Sequence, residues 1–277
     1  MWVDDPTTGE TIPMSIETPR RDTVPAPIDS VFTWNVEALP PSSAPNRQSS
    51  CSKCYLRTVC LPRGLTPDQL AQIDELTRAK RKLVRGAALF RQGDRFESLY
   101  AIRSGSFKSI GTVVRGEHGK VTGLHLPAEL LGLDAISSQI HEYDAIALED
   151  SEVCVVPYAQ LTRLMSQLPE LQAHVLRTLS GDITRDGGLM LRLGAMSAEQ
   201  RVVGFLLGLS RRCESLGYAG TRFSVRMRRD DIASYLGITV ETTCRILTRL
   251  QRDGLIEANM KDVEIKNLNG LRELSGY

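Results

Sequence analysis

The spacing of apolar positions changes rhythm along the chain, and each change predicts a different kind of element. Residues 1–50 show neither a period of two nor one of 3.6. They hold eight of the thirteen prolines with many Ser and Thr, and read as a disordered extension. Thr66-Pro67-Asp68-Gln69-Leu70 then opens a short helix over 66–80, with Thr66 as its cap and Pro67 at its first position. From about 83 to 157, short apolar runs such as Leu99-Tyr100-Ala101-Ile102 and Val153-Cys154-Val155-Val156 are divided by glycines and by turns such as Glu117-His118-Gly119-Lys120. That pattern predicts short antiparallel strands in a small β-roll or jelly roll.

After Pro169 the period becomes helical. Leu176, Leu179, Ile183, Asp186, Met190 and Leu193 fall alternately three and four apart, as the a and d positions of a heptad do. This predicts a long helix over 169–196 whose seam pairs two copies into a homodimer; the same spacing also fits a helix packed on its own domain. Residues 198–216 read as a further helix, 229–253 as two helices broken near Gly237-Ile238, and 255–265 as a hairpin. The expected fold class is α+β. Its parts are the extension (1–50), a cysteine loop with the β-roll (51–168), the dimerisation helix (169–196) and a winged helix-turn-helix (197–277).

Composition sharpens this modestly. A hydrophobic fraction of 42%, a charged fraction of 24% and no long apolar run describe a globular chain without a membrane partner. The start, Met1-Trp2-Val3-Asp4-Asp5-Pro6, lacks the basic and apolar parts of a signal peptide, so a cytoplasmic location is expected. A net charge of +1 decides nothing about nucleic acid, but its distribution helps. Residues 1–50 are acidic and residues 197–277 mildly basic.

Within 229–253, small Ala233 permits close helix contact and Gly237 supplies the bend of a helix-turn-helix. Thr239 would cap the second helix, with Val240, Thr243, Leu247 and Leu250 as its apolar face. The opposite face carries Glu241, Cys244, Arg245 and Thr248, beside Thr242 and Arg249. Arginine can bond guanine N7 and O6 together and glutamate can accept from cytosine N4, so this face suits the major groove of double-stranded DNA. Arg249 and Arg252 are placed to hold phosphates. The competing reading is a solvated face with an incidental Glu241–Arg245 ion pair.

Cys51, Cys54 and Cys60, separated by two and then five residues, can converge on one centre from a loop. Cys213 and Cys244 fall on predicted helices of the C-terminal part, which leaves Cys154 as the best fourth ligand. Thiolates suit zinc or an iron-sulfur cluster, and spacing alone does not choose. The four histidines, His118, His125, His141 and His174, show no ligand spacing, which argues against an enzyme built on a metal triad.

Taken together, these residues resemble the family of the fumarate and nitrate reduction regulator (FNR), a branch of the cyclic-AMP receptor protein superfamily. The likeness runs over residues 51–274 and rests on Cys51-x-x-Cys54-x5-Cys60, Leu99 through Gly105, Leu131 through Ile136, Cys154, and Gly237-Ile238-Thr239-Val240-Glu241-Thr242. It implies a cyclic-nucleotide-binding-like jelly roll and a [4Fe-4S] cluster on Cys51, Cys54, Cys60 and Cys154. It also implies a dimer that binds TTGAT-type palindromes and contacts RNA polymerase, with oxygen converting the cluster to [2Fe-2S] and weakening the dimer. Zinc, or thiol control of a constitutive binder, becomes the alternative.

Two departures from the family pattern stand out. Cys244 replaces a usual serine in the base-reading set, and a thiol is the weaker hydrogen-bond partner. Leu133 and Tyr143 stand where cyclic-nucleotide binders carry a Glu and an Arg, so no cyclic nucleotide is expected. On the switch itself, Asp186 on the seam would set two carboxylates together in a parallel dimer. Tyr55, directly after Cys54, either packs over the cluster as a shield or faces solvent, with Lys53 adding positive charge nearby, and the resemblance implies that surface loops such as Ala128-Glu129 touch the polymerase.

Overall fold

The computed structural model describes residues 2–4, 11–13, 50–112, 119–259 and 261–276. In the N-terminal unit, Met1–Pro45, strands β1 (Trp2–Asp4) and β2 (Thr11–Pro13) pair antiparallel. This corrects the aperiodic reading at six positions, where three-residue strands are too short to register as a period. The remainder of the expected disordered extension lies outside the described residues, as do Glu117 and His118 of the expected turn.

In the unit Asn46–Tyr277, α1 (Pro67–Leu76) starts as expected, with Thr66 and Gln69 forming a reciprocal capping box. It stops at Thr77 rather than running to residue 80, because β3 (Lys80–Leu83) pairs with a distant strand. Two four-stranded antiparallel sheets form the β-roll. One has the order β3, β10 (Ser151–Pro157), β5 (Ser98–Ser104), β8 (Leu130–Leu131); the other has β4 (Ala88–Phe90), β9 (Asp144–Ala147), β6 (Phe107–Gly111), β7 (Lys120–His125). Leu89, Phe90, Ile102, Phe107 and Val153 fill the space between them. The turn from β5 to β6 depends on Gly105, at φ 83°, where any Cβ would collide with Ser151.

Pro157 leads into α2 (Tyr158–Gln167), and Pro169 opens the 27-residue α3 (Pro169–Ala195). Gly181, Gly187 and Gly188 do not interrupt α3, although each weakens it by up to about 1 kcal/mol. The base of α3 is anchored by Leu171 and Val175, which share an apolar cluster with Ile73, Val156 and Leu161, and His174 is buried beside them on the same helix.

The C-terminal elements are α4 (Ala198–Ser215), β11 (Arg222–Ser224), α5 (Arg229–Leu236), α6 (Val240–Arg252), β12 (Ile256–Asn259), β13 (Asp262–Ile265) and α7 (Leu268–Ser275). The expected hairpin is β12–β13, and β11 adds a third strand to it. The expected α+β architecture, a β-roll followed by a long helix and a winged helix-turn-helix, is therefore the observed one. The C-terminal core also takes in Val121, Leu124 and Leu148 of the β-roll. Among the described residues, no helix is long and apolar enough to cross a membrane.

Candidate functional site

The cysteine loop is a series of tight turns. Cys54 N donates to Cys51 O at 3.1 Å, and Cys60 N to Leu56 O at 2.9 Å, with Leu56 buried beneath them. β10 supplies Cys154, in register with Ala101 on one side and Lys80 on the other. All four expected ligands, Cys51, Cys54, Cys60 and Cys154, border one small cavity, together with Leu61, Thr77, Ala101 and Ile102.

Burial pushes the Cys60 thiol up to about 12 and Cys154 up to about 11, each raised further by neighbouring cysteines. Cys51 is also raised, chiefly by burial, against a hydrogen bond with Thr77 Oγ1 at 3.1 Å. Buried thiols of this kind stay protonated until a cation offsets the charge of the thiolate. The described cysteines are free of disulfides. Among the described residues, no three His, Cys, Asp or Glu side chains draw together around a single-ion site. The four cysteines share the lining of one cavity, and thiolates there suit zinc or an iron-sulfur cluster.

Of the two readings of Tyr55, the structure shows the solvent-facing one. Tyr55 does not pack over the cavity: its ring is exposed and its hydroxyl donates to Arg103 O at 2.8 Å, which draws it towards β5. Lys53 faces solvent. Sequence reasoning missed His174, whose imidazole is bonded to the Cys60 backbone from α3. Burial and the nearby Arg177 and Arg63 hold that imidazole below its ordinary pKa. A lone histidine on a helix carries no signal of that contact.

On α3, Leu176, Ile183 and Met190, seven residues apart, are all exposed, Ile183 and Met190 by 72% and 70%. Asp186 is exposed beside them, while Leu179 is half-buried and packs on the core at the helix base. Leu193 leaves the expected seam. Its side chain approaches the Gly237 turn and its carbonyl accepts from Arg201 at 2.7 Å, so it belongs to the junction with the helix-turn-helix.

α5 ends at Gly237 with φ 62°, and Thr239 caps α6 by accepting from Thr242 N at 3.1 Å. Glu241, Cys244, Arg245, Thr248 and Arg249 are exposed on one side of α6, and Thr242 is half-buried at its start. The buried side is Thr243, Ile246, Leu247 and Leu250. Val240, expected there, is 44% exposed because it lies on the first turn beyond the reach of the core; Ile246 takes its place. Among the described residues Glu241 and Arg245 make no ion pair with each other. Arg249, by contrast, is held by Glu199 at 3.4 Å and Asp253 at 3.5 Å.

The Ala128-Glu129 loop is not a free surface. Glu129 accepts from Arg212 at 2.7 Å and from Leu126 N at 3.0 Å. Burial works to raise the pKa of Glu129, but Arg212 and Arg185 outweigh it and hold the carboxylate below its ordinary value. Of the two cassette positions, Leu133 packs partly buried on the apolar cluster around Ile73 and Leu161. The Tyr143 ring lies against Gly111.

Residues 200–274 match the model of the Crp-like helix-turn-helix domain, and residues 80–168 that of the cyclic nucleotide-binding domain. The transcriptional regulatory protein btr of Bordetella pertussis is 41% identical over 82% of this chain and 93% of its own length. The transcriptional activator protein anr of Pseudomonas aeruginosa is 39% identical over 88% of this chain and 97% of its own. For the fumarate and nitrate reduction regulatory protein of Escherichia coli the values are 38%, 82% and 90%. The solved structure of FixK2 from Bradyrhizobium japonicum shares the fold, with a TM-score of 0.64, 24% identity, and coverage of 71% of this chain and 96% of that one.

Proposed function

The chain belongs to the FNR branch of the cyclic-AMP receptor protein/FNR superfamily of DNA-binding transcription regulators, and on that premise we propose that it is an oxygen-responsive one governed by a cluster on Cys51, Cys54, Cys60 and Cys154. The observation that carries this reading is that three thiols from one short loop and a fourth from β10 border a single buried cavity. When bound, a [4Fe-4S] cluster supplies an oxygen-labile cross-link between that loop and that strand.

The chain's own residues connect this site to the dimer helix. Cys51, Cys60 and Cys154 pack on the same apolar cluster as Leu171, Val175 and Leu179, and His174 reaches the Cys60 backbone. Fixing the loop therefore fixes the base of α3, whose exposed stripe of Leu176, Ile183 and Met190 pairs with a second copy. A dimer presents two α6 helices, and Glu241, Cys244 and Arg245 read each half of a TTGAT-type palindrome. The uncharged pair Leu133 and Tyr143 supports a regulator that takes no cyclic nucleotide. RNA polymerase is the expected further partner, through a surface other than the engaged Glu129.

Protein purified without air tests this reading. We expect a brown preparation with iron and sulfide in equal amounts, and binding to a TTGAT palindrome that weakens on exposure to air. Cys154→Ser should lose the iron while keeping the fold. Iron-free protein from the anaerobic preparation, or operator affinity indifferent to removal of the iron, overturns it.

A further inference from the structure

A cavity of about 640 Å3 opens between α3, α4, α5 and α7, far along α3 from the cysteine loop. Five arginines surround it: Arg185, Arg192, Arg211, Arg212 and Arg272. Two are already engaged, Arg212 with Glu129 and Arg185 with Asp182 at 3.0 Å. Arg192, Arg211 and Arg272 have no carboxylate partner among the described residues. The floor between them is apolar, with Phe205 and Leu209 from α4 and Tyr235 from α5, and the two rings pack edge to face at 5.8 Å.

The position of the cavity separates it from both surfaces already described. Arg185 and Arg192 each follow a seam residue by two positions, Ile183 and Met190, and two residues turn a helix by about 200°. They therefore face away from the exposed stripe of Leu176, Ile183 and Met190. No residue of α6 lines it, so it is not the base-reading face.

From this we infer that the cavity is a ligand site for a phosphorylated organic anion with a flat apolar body, of nucleotide chemistry. Guanidinium groups match phosphate oxygens two at a time, and three without a carboxylate partner suit a polyanion. The apolar floor suits a ring system, and the volume falls in the range of small-molecule sites, about 300–1,000 Å3. A ligand held there spans α3, α4, α5 and α7 and ties the dimer helix to the first helix of the helix-turn-helix. It gives the regulator a second input that does not depend on the cysteine centre.

The test uses the full chain, purified without air, titrated by calorimetry with ATP, GTP and inorganic pyrophosphate. Saturable binding of one nucleotide per chain is expected, with pyrophosphate at least tenfold weaker for want of a ring. Arg192→Gln and the rim variant Arg272→Gln should each weaken nucleotide binding tenfold or more, with iron content unchanged. Because Arg272 is exposed, its variant keeps the test sound even if Arg192→Gln fails to fold. Several results overturn the inference: no saturation by either nucleotide below millimolar concentration, pyrophosphate binding as tightly as ATP, or variants that bind as the parent does. So does a uniform loss of DNA affinity with a shallower salt dependence in variants of a protein that binds no nucleotide, which would assign these arginines to DNA phosphates. Iron analysis on the same samples keeps this outcome distinct from failure of the cluster.

Discussion

Replacing Asp186 by alanine should strengthen dimerisation of the cluster-free protein. Asp186 is exposed on the same side of α3 as Ile183 and Met190, and makes no ion pair among the described residues. In a parallel pair of helices each seam residue meets its own copy. Two carboxylates about 5 Å apart repel by about 3 kcal/mol at an effective dielectric near 20. Screening at physiological salt, with a Debye length of about 8 Å, leaves roughly half of that for groups this exposed. About 1.5 kcal/mol remains, roughly a tenfold tighter dimer. Sedimentation equilibrium of apo protein at low and high salt reads both the gain and its source. Burial raises the Asp186 pKa, against Arg185, so the parent's own dimer should tighten as pH falls and the variant's should not. If the two proteins dimerise equally, or if the gain is the same at every salt concentration, the seam does not run through Asp186.

Four other substitutions probe the remaining parts. Arg245→Ala removes an exposed guanidinium from the base-reading face and should cost about 1–3 kcal/mol on the cognate palindrome with relaxed specificity, whereas Arg252→Ala should weaken all sequences alike and lower the salt slope by about one, both read by titrating labelled duplexes. Gly237→Ala places a Cβ at φ 62° and 3.3 Å from Leu193, and should lose about 1–2 kcal/mol in thermal unfolding. His125 is held near 4, below its ordinary 6.5, first by burial and then by Arg212 and Arg185 against the opposing Glu129. Its folded pKa is depressed, so its contribution is complete above pH 6.5 and is lost as pH falls towards 4, at most about 3 kcal/mol. His125→Gln should flatten that limb of a denaturant-melt series against pH, and an unchanged limb would point to another group.

Elements whose signal is local were legible in the sequence. The Thr66 and Thr239 caps and the Gly237 bend each depend on neighbours within two turns of chain, and each is found where it was expected. Elements whose extent is set by distant partners were not. α1 stops at Leu76 because β10 claims Lys80–Leu83, and Leu193 leaves the seam because the Gly237 turn packs there. α7 escaped notice because eight residues with Gly270 among them carry too weak a helical period. Convergence of Cys154 with the other three cysteines could be reached only by elimination and by the family resemblance, since about a hundred residues of chain separate it from the loop.

The junction between the β-roll and the helix-turn-helix is where long-range contact matters most for what the protein does. Asp231 closes the first turn of α5 by accepting from Arg228 N at 3.1 Å, and its other oxygen takes Lys108 of β6. One carboxylate thus serves a local cap and a bond across 123 residues of sequence, and both partners in that bond are largely shielded from water. Ser234, a turn further along α5, accepts from Val121 N of β7 at 3.0 Å, while Arg212 of α4 holds Glu129 and the Leu124 carbonyl. Three residues on two helices of the reading module are therefore bonded to one face of the β-roll. A charge pair of that kind costs several kcal/mol to break one-sidedly, because the stranded partner stays buried. Among the described residues, α5 and α4 carry side-chain bonds from the reading module to the β-roll and α6 carries none, so the placement of α6 follows any shift of that face while its base-reading side chains stay outside those bonds.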